Sequence, residues 1–159
     1  MSTGTSTRTP RIVAGVDGSP SSLAALRWAQ QHAEFTGGVV EAVSAWHIPA
    51  ATVGYGFAPG VAADLGYLEE QAKKHLEEAI TAAVGPAHPR VYGRVVQGFP
   101  AEVLLTAAKD ADLLVLGSRG HGGFADLLLG SVSQHCVHHA HCPVVIMRGP
   151  VAAAAQPAA

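Results

Sequence analysis

Residues 112–131 read DLLVLGSRGHGGFADLLLGS, which predicts a buried strand, a glycine-rich loop and the start of a helix. The strand, Asp112–Gly117, is a continuous apolar run of the kind that helices cover on both faces. Ser131 is predicted to cap the helix, which ends near His139. Glycines let backbone N–H groups approach an anion, and a helix start favours phosphate. The loop therefore has the parts of a phosphate cradle, although its spacing alone fits ordinary turns equally well.

Outward from this segment, short apolar runs alternate with amphipathic stretches along the chain. The predicted strands cover residues 11–17, 39–46, 90–96, 112–117 and 143–147, and the predicted helices run from Pro20 to Gly37, from near Asp64 to Gly85, from Pro100 to Lys109 and from Ser131 to His139. This alternation predicts an α/β fold: an open, doubly wound, Rossmann-like sheet of five parallel strands in the order 3-2-1-4-5, with helices on both faces.

The ends of the first and fourth predicted strands carry the polar residues of greatest interest. Sheets of this kind bind ligands at the carboxyl ends of their strands, at the point where the winding reverses. If it reverses between these two strands, Asp17 and Gly117 flank one crevice. Asp17 could instead be a plain cap for the helix that follows it. The loop after Gly117 is not a Walker A loop, and the Gly-x-Gly-x-x-Gly fingerprint does not follow the first strand.

Composition favours one domain in a reducing compartment. The chain has 159 residues, of which 48% are hydrophobic and 14% are charged, enough apolar side chain for one core. A net charge of -2 provides no basic field for nucleic acid, and no apolar run approaches the roughly 18 residues of a membrane span. Two cysteines do not make a disulfide framework. We expect a cytoplasmic protein with a flexible leader at 1–10, a single domain at 11–148 and a flexible tail at 149–159.

The spacing Gly117-x2-Gly120-x9-Gly130-Ser131 resembles the nucleotide-binding signature of the universal stress protein family. Three longer stretches are similar to the same family: IVAGVDGSPSS at 12–22, QGFPAEVLLTAAKDADLLVLGSRG at 97–120 and LLLGSVSQHCVHHAHCPVVIMR at 127–148. The resemblance covers about residues 10–148. It implies membership of the branch that binds ATP, because every glycine of the signature and its serine are present.

The resemblance also implies a role for each matching residue. Asp17 faces the phosphates of ATP through Mg²⁺, a hard cation that prefers oxygen ligands. The other contacts would be Ala45 at the adenine, Leu116 and Gly117 along the nucleoside, Arg119 and Gly120 over the ribose and phosphates, and Gly130, Ser131 and Val132 at the phosphates. A homodimer is implied as well, paired through the last strand from Val144 to Arg148, whose edge offers free backbone groups.

The function that follows is that of an ATP-binding regulator or sensor in the stress response. Two alternatives remain open: a weak ATPase or phosphotransferase, and a protein that binds cyclic AMP. Catalysis needs a base or a residue that positions water beside the phosphates. Asp110 and Asp112 are predicted at the opposite end of the sheet, and Asp126 in the loop has no evident partner, so the sequence favours binding over turnover.

The run HCVHHAHC at residues 135–142 invites a metal hypothesis. His135 and His139 stand four residues apart on the predicted helix and share a face. The sequence has no CxxC pair and no second ligand cluster elsewhere, so it favours a structural role for this helix.

Overall fold

The computed structural model describes residues 8–48, 61–121 and 129–150, with backbone alone for 61–64. Within them the strands are β1 (Arg11–Gly15), β2 (Val39–Trp46), β3 (Val91–Gln97), β4 (Leu113–Gly117) and β5 (Val144–Met147), and the helices are α1 (Pro20–Thr36), α2 (Val61–Val84), α3 (Pro100–Ala107) and α4 (Ser131–His139). Strands and helices alternate as predicted. None of the helices in these ranges is both long enough and apolar enough to cross a lipid bilayer.

The five strands form one sheet in the order β3-β2-β1-β4-β5, and every pair is parallel. This confirms the predicted order. Val13 of β1 lies opposite Glu41 on one side and Leu114 on the other, so β1 and β4 are the central neighbours. The winding reverses between them, because the chain builds outward from β1 to β3 on one side and from β4 to β5 on the other. The crevice expected of a doubly wound sheet therefore lies at the carboxyl ends of β1 and β4.

Helices cover both faces of the sheet, and this explains why the strands read as continuous apolar runs. On one face Ile12 is buried with Leu26 of α1 and with residues of α2. On the other face Val13 is buried with Leu104 of α3 and Cys136 of α4. Successive residues of β1 thus enter opposite layers of the core, as the two-residue period of a strand requires.

Most helix boundaries follow local signals that the sequence displays. Ser19 is the N-cap of α1, where its hydroxyl accepts a hydrogen bond from the Ser22 N–H at 3.3 Å. The helix ends at Gly37, whose φ of 70° is the left-handed conformation that glycine adopts readily. By contrast, α2 begins at Val61, three residues before the predicted start near Asp64.

The prediction that Ser131 caps α4 is wrong by one residue. Gly130 has the extended backbone of an N-cap, with φ −67° and ψ 163°, and its carbonyl accepts the first helical hydrogen bond from the Gln134 N–H at 2.9 Å. Ser131 is therefore the first residue of the helix. Because Gly130 has no side chain, no side-chain hydrogen bond caps this helix start.

Residues 8–10, which the sequence assigns to the leader, contact the domain. The Pro10 carbonyl accepts a hydrogen bond from the Val39 N–H at 2.9 Å, and the Arg8 guanidinium pairs with Asp112 at 2.6 Å. Residues 1–7 and 151–159, the rest of the leader and most of the tail, lie outside the described residues.

Candidate functional site

A cavity of about 610 Å³ opens where β1 and β4 end. Its volume is in the range of small-molecule and cofactor sites. All nine residues that the family resemblance singled out contribute to its wall: Asp17, Ala45, Leu116, Gly117, Arg119, Gly120, Gly130, Ser131 and Val132. These residues come from three separate parts of the chain, so the fold itself brings them to one place. The middle of the loop, residues 122–128 with Asp126, lies outside the described residues.

Asp17 presents a carboxylate to this cavity, two residues beyond the end of β1. One oxygen accepts the Ser19 N–H at 2.9 Å and the other accepts the His121 N–H at 3.3 Å. Partial burial raises the pKa of Asp17, but hydrogen bonds from Ser19 and Ser22 and the nearby His121 outweigh that effect, so the pKa lies below its usual value. Asp17 is therefore ionised at neutral pH, and it places a fixed negative charge in the wall.

Serines at the start of α1 hold the backbone of the loop that follows β4. The Ser21 hydroxyl donates to the Arg119 carbonyl at 2.5 Å, and the Ser19 hydroxyl donates to the same oxygen at 3.2 Å. Both serines are buried. The Arg119 backbone is thus fixed against α1, while the residue itself is exposed at the cavity.

The glycines that open the loop allow two close approaches. A Cβ on Gly117 would lie 2.7 Å from the Ser21 carbonyl carbon and 2.7 Å from the Ser22 nitrogen, both backbone atoms of α1. A Cβ on Gly120 would lie 2.6 Å from an Asp17 carboxylate oxygen. Neither glycine has a positive φ. Their role in this structure is to let the β4 loop pack against α1 and Asp17.

The far end of the loop returns to the same place at the start of α4. The Gly130 N–H donates to the Ser118 carbonyl at 2.7 Å, and the Ser133 hydroxyl donates to the Gly117 carbonyl at 2.6 Å. These bonds hold the first turn of α4 at the cavity. A helix start has N–H groups without intrahelical partners and carries a partial positive charge. This part of the wall is therefore suited to an anion.

Sequence reasoning missed several residues of the cavity wall. Ser22 and Ser133 stand beside residues that were predicted, and their hydroxyls became relevant only once the packing of the two helix starts was known. His121 follows Gly120 directly, so a search of the loop for charged or polar groups could have found it. Gln71 and His75 come from α2, and no local sequence signal predicts that this helix lines the cavity.

The chain matches the model of the Universal stress protein family over residues 9–148. It belongs to the universal stress protein family. A universal stress protein of Mycobacterium tuberculosis strain H37Rv is 38% identical over 141 residues, which are 86% of this chain and 46% of that relative. The chain thus spans about half the length of these curated relatives.

Solved structures agree with this membership. The universal stress protein UspA from Lactobacillus plantarum has a TM-score of 0.70 at 24% identity, covering 89% of this chain and 99% of that one. A universal stress protein solved in complex with cAMP has a TM-score of 0.57 at 26% identity, covering 89% of this chain and 98% of that one. The fold is therefore that of the family.

Proposed function

We propose that this universal stress protein binds ATP together with Mg²⁺ in the cavity between β1 and β4, and that its bound or free state regulates a stress response. The observation that carries the proposal is the convergence of the nine family-matched residues on one cavity whose wall includes an uncapped helix start. A shared ligand would account for the presence of the whole set around one cavity, beyond the packing that explains Gly117 and Gly120.

The phosphates are assigned to the first turn of α4. Backbone N–H groups of Ser131 and Val132, with the exposed Ser131 hydroxyl, offer donors to phosphate oxygens. The N-cap residue, Gly130, makes no side-chain hydrogen bond to these groups. Gly130 adds no bulk there: among the residues that the structure describes, a Cβ at this position would find its nearest atom 3.5 Å away, so their packing does not require the glycine.

Mg²⁺ is assigned to Asp17 and the phosphates jointly. A carboxylate beside a triphosphate is repulsive unless a cation lies between them. Across the described ranges, no three His, Cys, Asp or Glu groups converge on a common point, so Asp17 alone cannot hold a metal in a closed protein site. Mg²⁺ commonly keeps several waters and takes one or two carboxylates plus substrate phosphates. The residues present fit that mode of binding.

The nucleoside is assigned to the part of the cavity on the β2 side. Ala45 and Val43 of β2 supply apolar wall there, and Leu76 of α2 adds to it. Leu116 of β4 lines the cavity from the other side of β1. An adenine ring fits a mostly apolar slot with a few polar groups at its rim. Arg119, exposed at the opening, is assigned to the ribose and phosphates.

Two other functions share the same cavity. Cyclic AMP is favoured by one specific observation, the structural neighbour solved with that ligand. A weak ATPase or phosphotransferase would need a base near the phosphates. ATP and cyclic AMP can be ranked by competition against one fluorescent adenine nucleotide, and steady phosphate release that disappears in Asp17→Ala would favour the enzyme.

Assembly and location complete the proposal. We assign residues 11–148 to a single nucleotide-binding domain, and we place homodimer contacts along Val144 to Arg148. This assignment is supported by the position of β5 at the sheet edge, where its residues are half-buried. Free thiols at Cys136 and Cys142 support a reducing compartment such as the cytoplasm. Sedimentation at micromolar concentration tests the dimer, and Val145→Lys should shift the protein toward monomer.

The decisive experiment for the function is the nucleotide content of the protein purified without added ligand. We expect near one equivalent of adenine nucleotide to be released on denaturation, or one equivalent of Mg·ATP to bind on titration of the stripped protein. Asp17→Asn should weaken binding of Mg·ATP much more than binding of ATP in EDTA. Failure to bind any adenine nucleotide at millimolar concentration would refute the proposal.

A further inference from the structure

The histidines of α4 form a close pair on the surface beyond the cavity. The imidazole rings of His135 and His139 have centroids 4.4 Å apart, inclined at 39°. Both residues are exposed. Their spacing of one helical turn places both side chains on one face of the helix. Two exposed imidazoles therefore meet on a rigid support.

The chemistry of the pair is that of a chelating nitrogen donor. A neutral imidazole binds a divalent transition metal through one ring nitrogen, at about 2.0–2.1 Å for Zn²⁺. Two such nitrogens one turn apart can share one ion, as they do when paired histidines on a helix face bind zinc. Once the first imidazole holds the ion, the second binds intramolecularly and adds affinity without further loss of freedom.

The nearby cysteines do not join as thiolates. Cys136 is fully enclosed in the core, so its thiol is not available to an ion on the exposed face that carries the pair. Cys142 lies three residues beyond His139, outside the helix. Among the residues described by the structure, no third His, Cys, Asp or Glu combines with the pair, so water must complete the coordination sphere.

We propose that His135 and His139 form a surface site for a borderline divalent transition metal. Imidazole and water ligands suit Cu²⁺, Ni²⁺ and Zn²⁺, and the usual order of affinities makes Cu²⁺ the tightest of the three. His139 lies in the last turn of α4, where the partial negative charge of the helix end favours a cation. The site is distinct from the Asp17 carboxylate and needs no nucleotide.

The test is a calorimetric titration of the untagged, nucleotide-free protein with NiCl₂ alone, in a buffer that does not coordinate metals. We expect one equivalent to bind, and we expect at least about a tenfold loss of affinity in His135→Ala or His139→Ala, because a single imidazole cannot chelate. The matched control is His138→Ala, which removes an exposed histidine of the same helix and leaves the pair intact. Equal affinity in wild type and His139→Ala, or an equal loss in His138→Ala, would overturn the site.

A second readout separates this site from the nucleotide proposal. Ni²⁺ should raise the melting temperature of the wild type but not of the His135→Ala/His139→Ala double variant, because a ligand stabilises the state that binds it. Asp17→Asn should keep its Ni²⁺ affinity even as it loses Mg·ATP. Loss of Ni²⁺ binding in Asp17→Asn would assign the metal to the cavity and contradict the histidine site.

Discussion

The two ends of the glycine-rich loop use glycine for different purposes. At the first end, a Cβ on Gly117 would collide with the backbone of Ser21 and Ser22, so the strand can lie against α1 only without a side chain. At the second end, a Cβ on Gly130 would meet the described part of the chain only at ordinary van der Waals distance, 3.5 Å from Arg119. The fold demands the first glycine and tolerates a methyl group at the second.

This difference indicates that one sequence signature can combine a packing requirement with the binding role proposed for its other end. Gly117 and Gly120 allow the β4 loop, α1 and Asp17 to come together. Gly130 places no side chain over the start of α4, which lines the cavity. Substitutions at the two ends should therefore fail in different assays, and the predictions below use that contrast.

We expect the largest effect from Gly117→Ala, which should reduce the free energy of unfolding. The added methyl group must displace α1 backbone or strand β4, and overpacking of this kind costs about 3 kcal/mol at the upper end of its usual range. Urea denaturation at neutral pH measures the change. The matched control is Gly66→Ala in α2, where a Cβ meets nothing within 4 Å. That variant should be neutral or more stable by up to about 1 kcal/mol.

Gly130→Ala should show the opposite pattern. We expect a stability change of at most about 1 kcal/mol, since the backbone conformation at this N-cap is open to alanine. Affinity for Mg·ATP should fall about tenfold, or roughly 1.4 kcal/mol, because the methyl group intrudes where phosphate oxygens approach the helix start. Titration calorimetry measures the affinity for Mg·ATP. If Gly130→Ala unfolds the protein while Gly117→Ala does not, the contrast between the loop ends is wrong.

Ser131→Ala should weaken the binding of Mg·ATP by about 1 kcal/mol, a loss of near fivefold in affinity, because one hydrogen bond to phosphate is lost. Its hydroxyl is exposed at the cavity, so stability should hardly change. The contrasting variant is Ser133→Ala, two residues further along the helix.

Ser133 is buried, and its hydroxyl donates to the Gly117 carbonyl at 2.6 Å. Its loss leaves a carbonyl without that donor, so Ser133→Ala should reduce the free energy of unfolding by about 1–3 kcal/mol. Equal effects of the two serine variants on both assays would remove the distinction between a ligand contact and a packing contact.

The smallest expected effect is a pH dependence that Asp17 contributes to stability. Its folded-state pKa lies below the ordinary value, so its ionised form stabilises the fold at neutral pH. That contribution is present above the ordinary pKa of 3.8 and is lost as the pH falls through the lower folded-state pKa. The difference in unfolding midpoint between wild type and Asp17→Asn should therefore shrink on acidification. A difference that grows toward low pH would contradict the assigned direction.

The fold was predictable because local and global signals agree. Buried strands read as continuous apolar runs, and Ser19, Pro20 and Gly37 bound α1 by their own chemistry. The start of α2 at Val61 was not predictable, because Gly60 before it in the sequence is a weaker N-cap signal than Ser, Asp or Asn. The N-cap of α4 at Gly130 was also not predictable, because serine is the commoner cap and Ser131 stands one place later.

Much of the cavity wall was predictable, but the structural reasons for its residues were less so. The spacing of the loop glycines and the family resemblance predicted Asp17, Gly120 and Gly130 as site residues. All three line one cavity in the structure. The reason for Gly117 emerges only from its approach to α1, since sequence spacing carries no information on which backbone passes nearby. The same holds for His75, whose place in the wall depends on how α2 packs across the sheet.

The most direct test of the central claim is a crystal structure of the protein grown with Mg²⁺ and a non-hydrolysable ATP analogue. The account predicts phosphate oxygens within hydrogen-bond distance of the Ser131 and Val132 amides, with Mg²⁺ between the phosphates and the Asp17 carboxylate. A nucleotide bound elsewhere, or phosphates held away from the start of α4, would contradict it.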